Sequence, residues 1–531
     1  MSRTILIEFL YFLYFGRWSL TKRKFVLVID VVNKKIMSYH QGDKLVEEVV
    51  YTPIEDVDGT VQFKPKDSRK KNDTLFLYFV VITASVQIFV KGCNNVWPSP
   101  VIPQLKSNNS DINPLEDPIT TAQISMLFGI PSAFRILGAL FLGKLPDIIG
   151  RKKTLLVISL LTLPPHLVMV LFGSQIYVYI IGRSIVEIGF GFTLSGLPIY
   201  LNEICEDHNR AKHGCLMMFF LPLGSVYGYL VGPLTSVRWF TFLCAAPLIP
   251  QIILSLVLFP ESPIYSAAKG DRVTAINTLK KLRSNKTEDE IVQDYIEIER
   301  SLTNLNEGVG CGFKELFSTR GLRMTTSIGF LATLSVSVSG VPIIMAYVAP
   351  LFNDANTNLS GNSVAILVGV VELTFYFVTF AVVKKVGSRP LLLFSYLATG
   401  VFLTIIAVYF YLNATNSPIV HTIRWSPIVC VLLYVSSYSL GIGIGSVTVS
   451  LLSELYPNDM RSTGCCFVRT TVDIISAIIS AAFPLVVEYL GVHYCVGMFS
   501  ICCFLILVFM YFFLPETRGR SFLEIQKILS K

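Results

Sequence analysis

The sequence is poor in charged residues. Asp, Glu, Lys and Arg make up 15% of its 531 residues, whereas an ordinary soluble domain has about 25%. A water-soluble chain of this length needs more polar surface to stay dispersed, so the composition excludes a large soluble enzyme. With 52% hydrophobic residues and a mean hydropathy of +0.60, it indicates a polytopic membrane protein. In such a chain the placement of the +8 net charge matters more than its sum, so we expect no nucleic-acid partner.

The chain also lacks the signatures of a metal site, a disulfide framework or a catalytic centre. None of its eleven cysteines has a C-x-x-C spacing, and most stand singly or as adjacent pairs within apolar runs. The histidines are dispersed, and there is neither a nucleophile–base constellation nor a phosphate-binding loop. We therefore expect no metal, no cofactor and no enzymatic activity, and a membrane enzyme ranks below the other hypotheses.

Apolar runs long enough to span a bilayer recur from residue 74 to residue 514. A spanning helix needs about 20 mainly apolar residues, because its backbone finds no water in hydrocarbon. Twelve runs meet this requirement, and we place them at 74–97, 120–142, 154–173, 176–201, 213–234, 239–259, 325–350, 363–383, 389–412, 426–452, 464–487 and 494–514.

A polar stretch divides these runs into two groups of six. It carries amphipathic, helix-forming sequence, which predicts short surface helices. The expected organisation is an N-terminal half at 74–259, a linker at 260–322, a C-terminal half at 323–514 and a tail at 515–531.

The first 73 residues carry the weakest structural signals in the sequence. The apolar stretch near the start is short for a span, and no small-residue cleavage site follows it, which argues against a signal peptide. We expect residues 1–73 to be a disordered cytoplasmic tail. Met37 begins a polar segment that resembles the start of a protein chain more than Met1 does. Whether residues 1–36 belong to the natural mature protein stays open.

Lysine and arginine in the short loops predict the orientation. They concentrate at one end of the predicted bundle, which we term the basic end; its loops carry Lys144, Arg151, Lys152, Lys153, Arg210, Lys212, Lys384, Lys385, Arg389 and Arg461. The positive-inside rule makes the basic end and both termini cytoplasmic, in a plasma-membrane protein. Three N-x-S/T glycosylation sequons fall at the opposite end, at Asn108, Asn358 and Asn413.

The two groups of six runs carry the same short motifs at matching positions. A glycine just before an arginine follows the second run, a glutamate stands seven residues before an arginine after the fourth, and a Pro–Glu pair follows the sixth. The matching residues are 237, 251 and 255 positions apart: Gly150 and Gly387, Glu203 and Glu454, Glu261 and Glu516. Chance matches would not keep that order. The pattern predicts parallel six-helix repeats with a solute site between them near the midplane.

These pieces resemble the sugar porter branch of the major facilitator superfamily, and within it the insect facilitated trehalose transporter group. The resemblance covers residues 74–531, and its strongest segments are GKLPDIIGRKK, PESP, SELYPNDMR and PETRGRSFLEI. The segment Trp97–Pro100 points to the insect group. The resemblance implies an all-α membrane protein with twelve transmembrane helices in two pseudo-symmetric halves.

Charged residues at the basic end suggest a gate. Acidic and basic groups pair strongly in a partly dry interface, but only while the halves are closed there. We expect a charge latch that favours the outward-open state, formed by Asp147, Arg151, Glu203, Arg210, Glu454 and Arg461. The alternative is a set of solvated, topology-fixing charges that contribute ~0–1 kcal/mol each.

The amides and the indole with which sugar porters hold their substrate are absent. At the aligned positions stand Met218, Ser337, Pro342, Val449 and Val472, and Tyr347 lies nearby. A site without these groups makes too few hydrogen bonds to offset the free energy lost when several sugar hydroxyls leave water. The resemblance therefore implies a solute-binding cavity at these six residues that is more apolar than a hexose site, with weak glucose uptake.

Five ionisable residues lie within the predicted helices: Arg135, Arg183, Glu187, Glu372 and Asp473. Buried charges in hydrocarbon are costly, so each should face protein or a water-filled path and have a partner. A purely structural set and a functional set remain equally open.

Spacing suggests partners for these charges. Arg183 and Glu187 are four residues apart and share a helix face. Arg135 and Asp473 lie at similar depths where the family fold brings the second and eleventh helices together. Arg469 competes for Asp473 on the same helix face.

The hypothesis that best fits these observations is a facilitator in the lipid bilayer that moves a small polar solute, such as a hexose or trehalose, by alternating access. The first helix carries no Asp or Glu, and Asn94 lies near the position of the proton site in coupled relatives. This favours uniport. Proton-coupled symport through Glu187 beside Arg183, and a transporter-like sensor without turnover, remain alternatives.

Overall fold

A computed structural model describes most of the chain. The described residues are 51–55, 61–65, 73–115, 117–141, 145–305, 313–353, 355, 357–443, 448, 451, 455–456 and 458–516. They form two units that meet in sequence at Asn72 and Asp73.

The N-terminal unit contains a β-hairpin. Strand β1 (Tyr51–Glu55) pairs antiparallel with β2 (Val61–Pro65), and Tyr51 lies opposite Pro65. The sequence predicted no structure here, because pairing supplies a strand's backbone hydrogen bonds and a single strand does not reveal its partner. Residues 1–50 lie outside the described part, so their disorder stays a prediction.

The second unit is helical. The helices, labelled here in chain order, are α1 (Leu75–Val96), α2 (Pro98–Leu105), α3 (Thr121–Phe141), α4 (Leu145–Ile149), α5 (Arg151–Phe172), α6 (Ile176–Ile204), α7 (Asp207–Val231), α8 (Val237–Ala245), α9 (Leu248–Leu258), α10 (Pro263–Ala268), α11 (Arg272–Leu282), α12 (Glu288–Leu305), α13 (Arg320–Val338), α14 (Val341–Asn353), α15 (Gly361–Val386), α16 (Ser388–Ala414), α17 (Ile419–Thr422), α18 (Ser426–Gly441), α19 (Asn458–Leu490) and α20 (Val492–Phe513).

All twelve predicted runs contain helices, which confirms the all-α assignment of the membrane region. Eleven described helical stretches are long and apolar enough to cross a bilayer. The remaining one, α18, has 16 residues and ends before Ile442, although the sequence predicted helix to residue 452. Glycine weakens a helix, and Gly441 and Gly443 flank the point where α18 ends.

Two spans are broken at corresponding places in the two halves. Pro98, which has no N–H to donate, begins α2 directly after α1. Gly340, at a φ of +76°, separates α13 from α14. The sequence predicted the first break but not that a helix resumes at Pro98. Short helices, α2 and α14, therefore lie at the end of the bundle opposite the basic end.

The two halves pack along two lateral seams and across the end opposite the basic end. Helix α3 packs on α19, and α7 on α15, while α2 meets α14. Tyr376 on α15 donates a hydrogen bond to the carbonyl of Cys215 on α7 at 2.7 Å. On the other seam the Ser125 hydroxyl donates to the carbonyl of Ala481.

Helices of the linker dock on the first half. Glu206, which precedes α7, contacts Lys286 and lies 3.3 Å from Arg283. Both cations also contact Asp294 of α12, at 2.8 Å from Lys286 and 2.5 Å from Arg283. Burial works against the charge on Lys286, but hydrogen bonds to Asp294 and Glu206 outweigh it and raise its pKa.

A carboxylate caps the start of α5 at the basic end. Glu261 Oε1 accepts hydrogen bonds from the backbone N–H groups of Arg151 at 2.8 Å and Lys152 at 3.1 Å. Gly150 precedes them at a φ of +96°, and its counterpart Gly387 has a φ of +94°. A left-handed turn thus explains why the glycine recurs in both repeats. Glu516 lies beside Gly387 as Glu261 lies beside Gly150.

We expect Gly150→Ala to lower the melting temperature of the purified protein. An L-residue at this φ costs about 1–3 kcal/mol, and its Cβ would lie 2.4 Å from Glu261 Oε2. Gly214→Ala on α7 is the matched control, because its Cβ meets nothing within 4 Å. Equal melting temperatures for the two variants, measured in detergent, would contradict this account.

Candidate functional site

A buried ion pair joins α1 to α6 within the first half. Lys91 Nζ lies 2.8 and 2.9 Å from the two carboxylate oxygens of Glu187. The side-chain amide of Asn94 donates to the same carboxylate at 3.2 Å. Lys91 is 3% exposed and Glu187 5% exposed, so both charges are withdrawn from water.

Sequence reasoning missed Lys91. The five ionisable residues named within the predicted helices do not include Lys91, which stands near the end of the first run. The signal was available, because a lysine inside an apolar span requires an acidic partner.

The expected pair within α6 is wrong. Among the described residues, Glu187 pairs with Lys91 and Arg135 and not with Arg183. Arg183 donates to the side-chain oxygen of Asn94 at 3.2 Å and to its carbonyl at 3.4 Å, and it lies 4.7 Å from the ring centre of Trp97. Helix packing decided this, because α1 presents a closer cation than α6 itself does.

A second set of charges bridges the seam between the halves. Arg135 on α3 lies 3.9 Å from Glu187 in its own half and 3.7 Å from Asp473 on α19. Asp473 also accepts a hydrogen bond from Arg469 at 3.1 Å. The structure therefore places both sequence-predicted partners beside Asp473, and Arg469 is the closer of the two.

Glu372 stands apart from this cluster. It lies on α15, at the seam with α7, where the Ser225 hydroxyl is a neighbour and the hydroxyls of Tyr229 and Tyr438 also interact with it electrostatically. One of its carboxylate oxygens is buried and has no hydrogen-bond partner in the described part of the chain. Its equivalent in the first repeat is Arg135, so the two seams carry opposite charges at matching positions.

We expect Lys91→Met to destabilise the protein strongly, by about 3–5 kcal/mol, because Glu187 would lose its nearest counter-charge. The double variant Lys91→Met/Glu187→Gln should recover much of the loss in melting temperature. Arg238→Gln, at an exposed position, is the control and should melt like the wild type. The ion pair is not the reason for the loss if the double variant melts no higher than Lys91→Met.

The first-half charges of the expected latch lie together at the basic end. Arg151 contacts both oxygens of Glu203, at 2.9 Å each, and lies 3.1 Å from Asp147. Arg210, the fourth first-half member of the latch, pairs with Asp207 at 2.9 Å and not with these three groups among the described residues. Arg210 and Asp207 are neighbours on one exposed turn of α7, which makes the local pair the easier one to form.

The second-half members of the latch are not described. Glu454 lies outside the described residues, as does the side chain of Arg461. The ion pairs described at the basic end join groups of the first half and the linker. A latch between the halves therefore stays a prediction.

We expect Arg151→Ala to cost much more stability than Arg210→Ala. The Arg151 side chain is 12% exposed and donates three hydrogen bonds to Glu203. Arg210 is 46% exposed, and a surface pair of this kind contributes about 0–1 kcal/mol. Thermal unfolding of the two purified variants measures the difference, and equal losses would contradict the assignment.

The residues that the sequence placed around the solute lie in different surroundings. Tyr347 on α14 is buried between Phe128 of α3 and Phe483 of α19, with ring centres 5.9 and 5.5 Å away. Ser337 and Val472 are also buried. Tyr347 therefore contacts aromatic rings from both halves.

Two other members of this set do not share that position. Met218 is half-buried against the apolar core of the first half, and Pro342 is exposed at the start of α14. Val449 lies outside the described residues. The apolar character of the cavity stays a prediction.

The sequons differ in accessibility. Asn108 and Asn358 are exposed in loops, whereas Asn413 is half-buried in the last turn of α16. Glycosylation at these sites stays a prediction. Within the described ranges, no three His, Cys, Asp or Glu side chains are grouped so that they could hold a metal ion.

Two helical halves with matched breaks, matched left-handed glycines and interior charges are typical of a polytopic membrane protein with the major facilitator fold. Solved structures support this fold. The inward-open conformation of the E. coli xylose transporter XylE superposes with a TM-score of 0.68 at 20% identity and covers 85% of this chain and 99% of that one. A partially occluded inward-open form of XylE gives 0.67 at 19% identity, over 84% and 100%.

The chain belongs to the sugar (and other) transporter family, whose sequence profile matches residues 63–529. Similar proteins include the facilitated trehalose transporter Tret1 of Bombyx mori, which is 26% identical over 415 residues, 78% of this chain and 80% of that protein. Tret1 of Polypedilum vanderplanki is 25% identical over 470 residues, 86% of this chain and 90% of that protein.

Proposed function

We propose that the protein is a facilitative plasma-membrane transporter of a small polar solute of the sugar class, which it moves by alternating access and without enzymatic chemistry. The observation that carries this proposal is the hydrogen-bonded closure of the halves at one end. Ser99 on α2 accepts a hydrogen bond from the backbone N–H of Ala349 on α14 at 3.0 Å.

A second bond reinforces this closure. The Tyr229 hydroxyl on α7 donates to the carbonyl of Met345 on α14 at 2.6 Å. A neutral hydrogen bond contributes a net of about 0.5–1.5 kcal/mol. Contacts of this strength hold one state while still allowing the closure to open in each cycle.

The charge distribution supports the orientation. Lysine and arginine concentrate in the loops of the basic end, which the positive-inside rule places in the cytoplasm with both termini. The closure between α2 and α14 then lies on the outer side, and the structure corresponds to a state whose outer end is closed. The exposed sequons at Asn108 and Asn358 lie on that same outer side.

The relatives support a sugar as solute. The names of the similar insect proteins specify trehalose, and the family profile specifies sugars and other solutes. Met218, Val449 and Val472 replace polar residues with which sugar porters bind their substrate, which argues against a glucose-binding site of the usual kind. Tyr347 offers an aromatic face on which the C–H face of a sugar could stack.

The environment of Glu187 supports uniport. Lys91 and Asn94 occupy both oxygens of its carboxylate, so proton binding there would break a buried ion pair. Proton-coupled symport is the second candidate, and Glu372 is the observation that favours it. A buried carboxylate oxygen without a hydrogen-bond partner is a place where a proton can be held.

Uptake by the purified protein in liposomes tests these proposals. We expect saturable uptake of labelled trehalose, weaker uptake of glucose, and rates that an inward proton gradient does not change. Acceleration by the gradient that disappears in Glu372→Gln would replace uniport by symport. Binding of sugars without uptake would identify a sensor instead.

We expect Tyr229→Phe to loosen the outer closure. Loss of one hydrogen bond should shift the ratio of open to closed outer ends roughly fivefold. Hydrogen exchange of the peptides covering α2 and α14 measures this shift. Tyr179→Phe is the control, because its hydroxyl donates to Gly173 within the first half. Equal protection in both variants would contradict a gating role for Tyr229.

A further inference from the structure

Cations outnumber carboxylates in the cluster around the seam between α3 and α19, which is largely buried except for the Arg469 side chain, 49% exposed. Four cations lie there with two carboxylates: Lys91, Arg135, Arg183 and Arg469 with Glu187 and Asp473. Each carboxylate already has a hydrogen-bonded cation, since Lys91 holds Glu187 at 2.8 Å and Arg469 holds Asp473 at 3.1 Å. Two positive charges are therefore in excess.

Arg135 is the first of the two excess cations. Its guanidinium lies 3.7 Å from Asp473 and 3.9 Å from Glu187, which is beyond hydrogen-bond distance for both. Its buried Nε has no acceptor among the described residues. The Arg135 side chain is 19% exposed, whereas Arg183 is 6% exposed, so Arg135 is the more accessible of the two.

Arg183 is the second. It makes no ion pair with a carboxylate in the described part of the chain, and its own Nε is buried without an acceptor. The Trp97 ring and Asn94 enclose it, and the residue is 6% exposed. Arg183 therefore adds positive potential to the cluster, whereas Arg135 offers the accessible donors.

An excess of positive charge in a largely buried cluster favours an incoming anion. Charge in a membrane interior is costly unless it is paired. A guanidinium binds a carboxylate through two parallel, charge-assisted hydrogen bonds, each about twice as strong as a neutral one. One such contact could replace several of the amide hydrogen bonds that this chain lacks.

We propose that Arg135 binds the carboxylate of the transported solute, and that the protein prefers a small hydroxylated carboxylate, such as a sugar acid, over a neutral sugar. This inference rests on the proposed transport function and names its substrate class. Asp473 is the competing intramolecular carboxylate: it lies in the other half, so an anion that binds Arg135 also weakens one ionic contact across the seam.

Uptake of D-glucuronate and D-glucose by the protein in liposomes provides a matched test, because these probes differ only in a carboxylate against a hydroxymethyl group. We expect the wild type to take up glucuronate faster than glucose at equal concentration. The ratio of the two rates should fall at least tenfold in Arg135→Gln and less in Arg135→Lys, which keeps the charge but loses the bidentate geometry. Arg238→Gln, outside the cluster, should keep the wild-type ratio.

Asp473→Asn provides the opposite change. Removing the competing carboxylate should raise the ratio of glucuronate to glucose uptake, whereas a purely structural role for Arg135 and Asp473 predicts lower rates in both variants at an unchanged ratio. Because the ratio is measured within one preparation, partial misfolding does not alter it. A wild type that moves glucose or trehalose but does not prefer glucuronate overturns this inference alone. A folded protein that moves none of these solutes overturns the proposed transport function.

Discussion

The cost of placing charge inside a membrane organises this structure. A lysine at position 91 cannot lie in hydrocarbon without a counter-charge, and Glu187 supplies it at 2.8 Å from the neighbouring helix. That requirement sets the rotation of α1 against α6. It also determines which groups are left for Arg183 and Arg135.

The two lateral seams differ electrically although the halves are built as repeats. Arg135 and Glu372 occupy equivalent positions, yet one lies among several cations and the other has Ser225 as one polar neighbour. Internal repetition therefore preserved the positions where helices meet but not the charges there. A solute that moves between the halves meets a positive seam on one side and an acidic one on the other.

The closure at the far end uses a different kind of interaction. Ser99 and Tyr229 bond to backbone atoms of α14 through neutral groups, at 3.0 and 2.6 Å. Neutral hydrogen bonds exchange with water at little net cost, whereas a buried ion pair cannot be broken cheaply from one side. Ionic contacts inside a half and neutral contacts between the outer segments suit a protein whose halves must stay rigid while their closure alternates.

The sequence alone determined the twelve helices, the division into halves and the glycine and glutamate motifs that recur between the helices. These features depend on local information: the length of apolar runs against bilayer thickness, and a left-handed turn that favours glycine at Gly150. Charged candidates such as Arg135 and Asp473 could also be named, because an ionisable residue inside an apolar run is visible in the sequence. The tertiary structure alone decided the pairing. Lys91 and Glu187 are 96 positions apart, and whether they meet depends on how two helices rotate and pack, which neither helix encodes by itself. For the same reason Arg183 contacts Asn94 on α1 and not Glu187, its expected partner on α6.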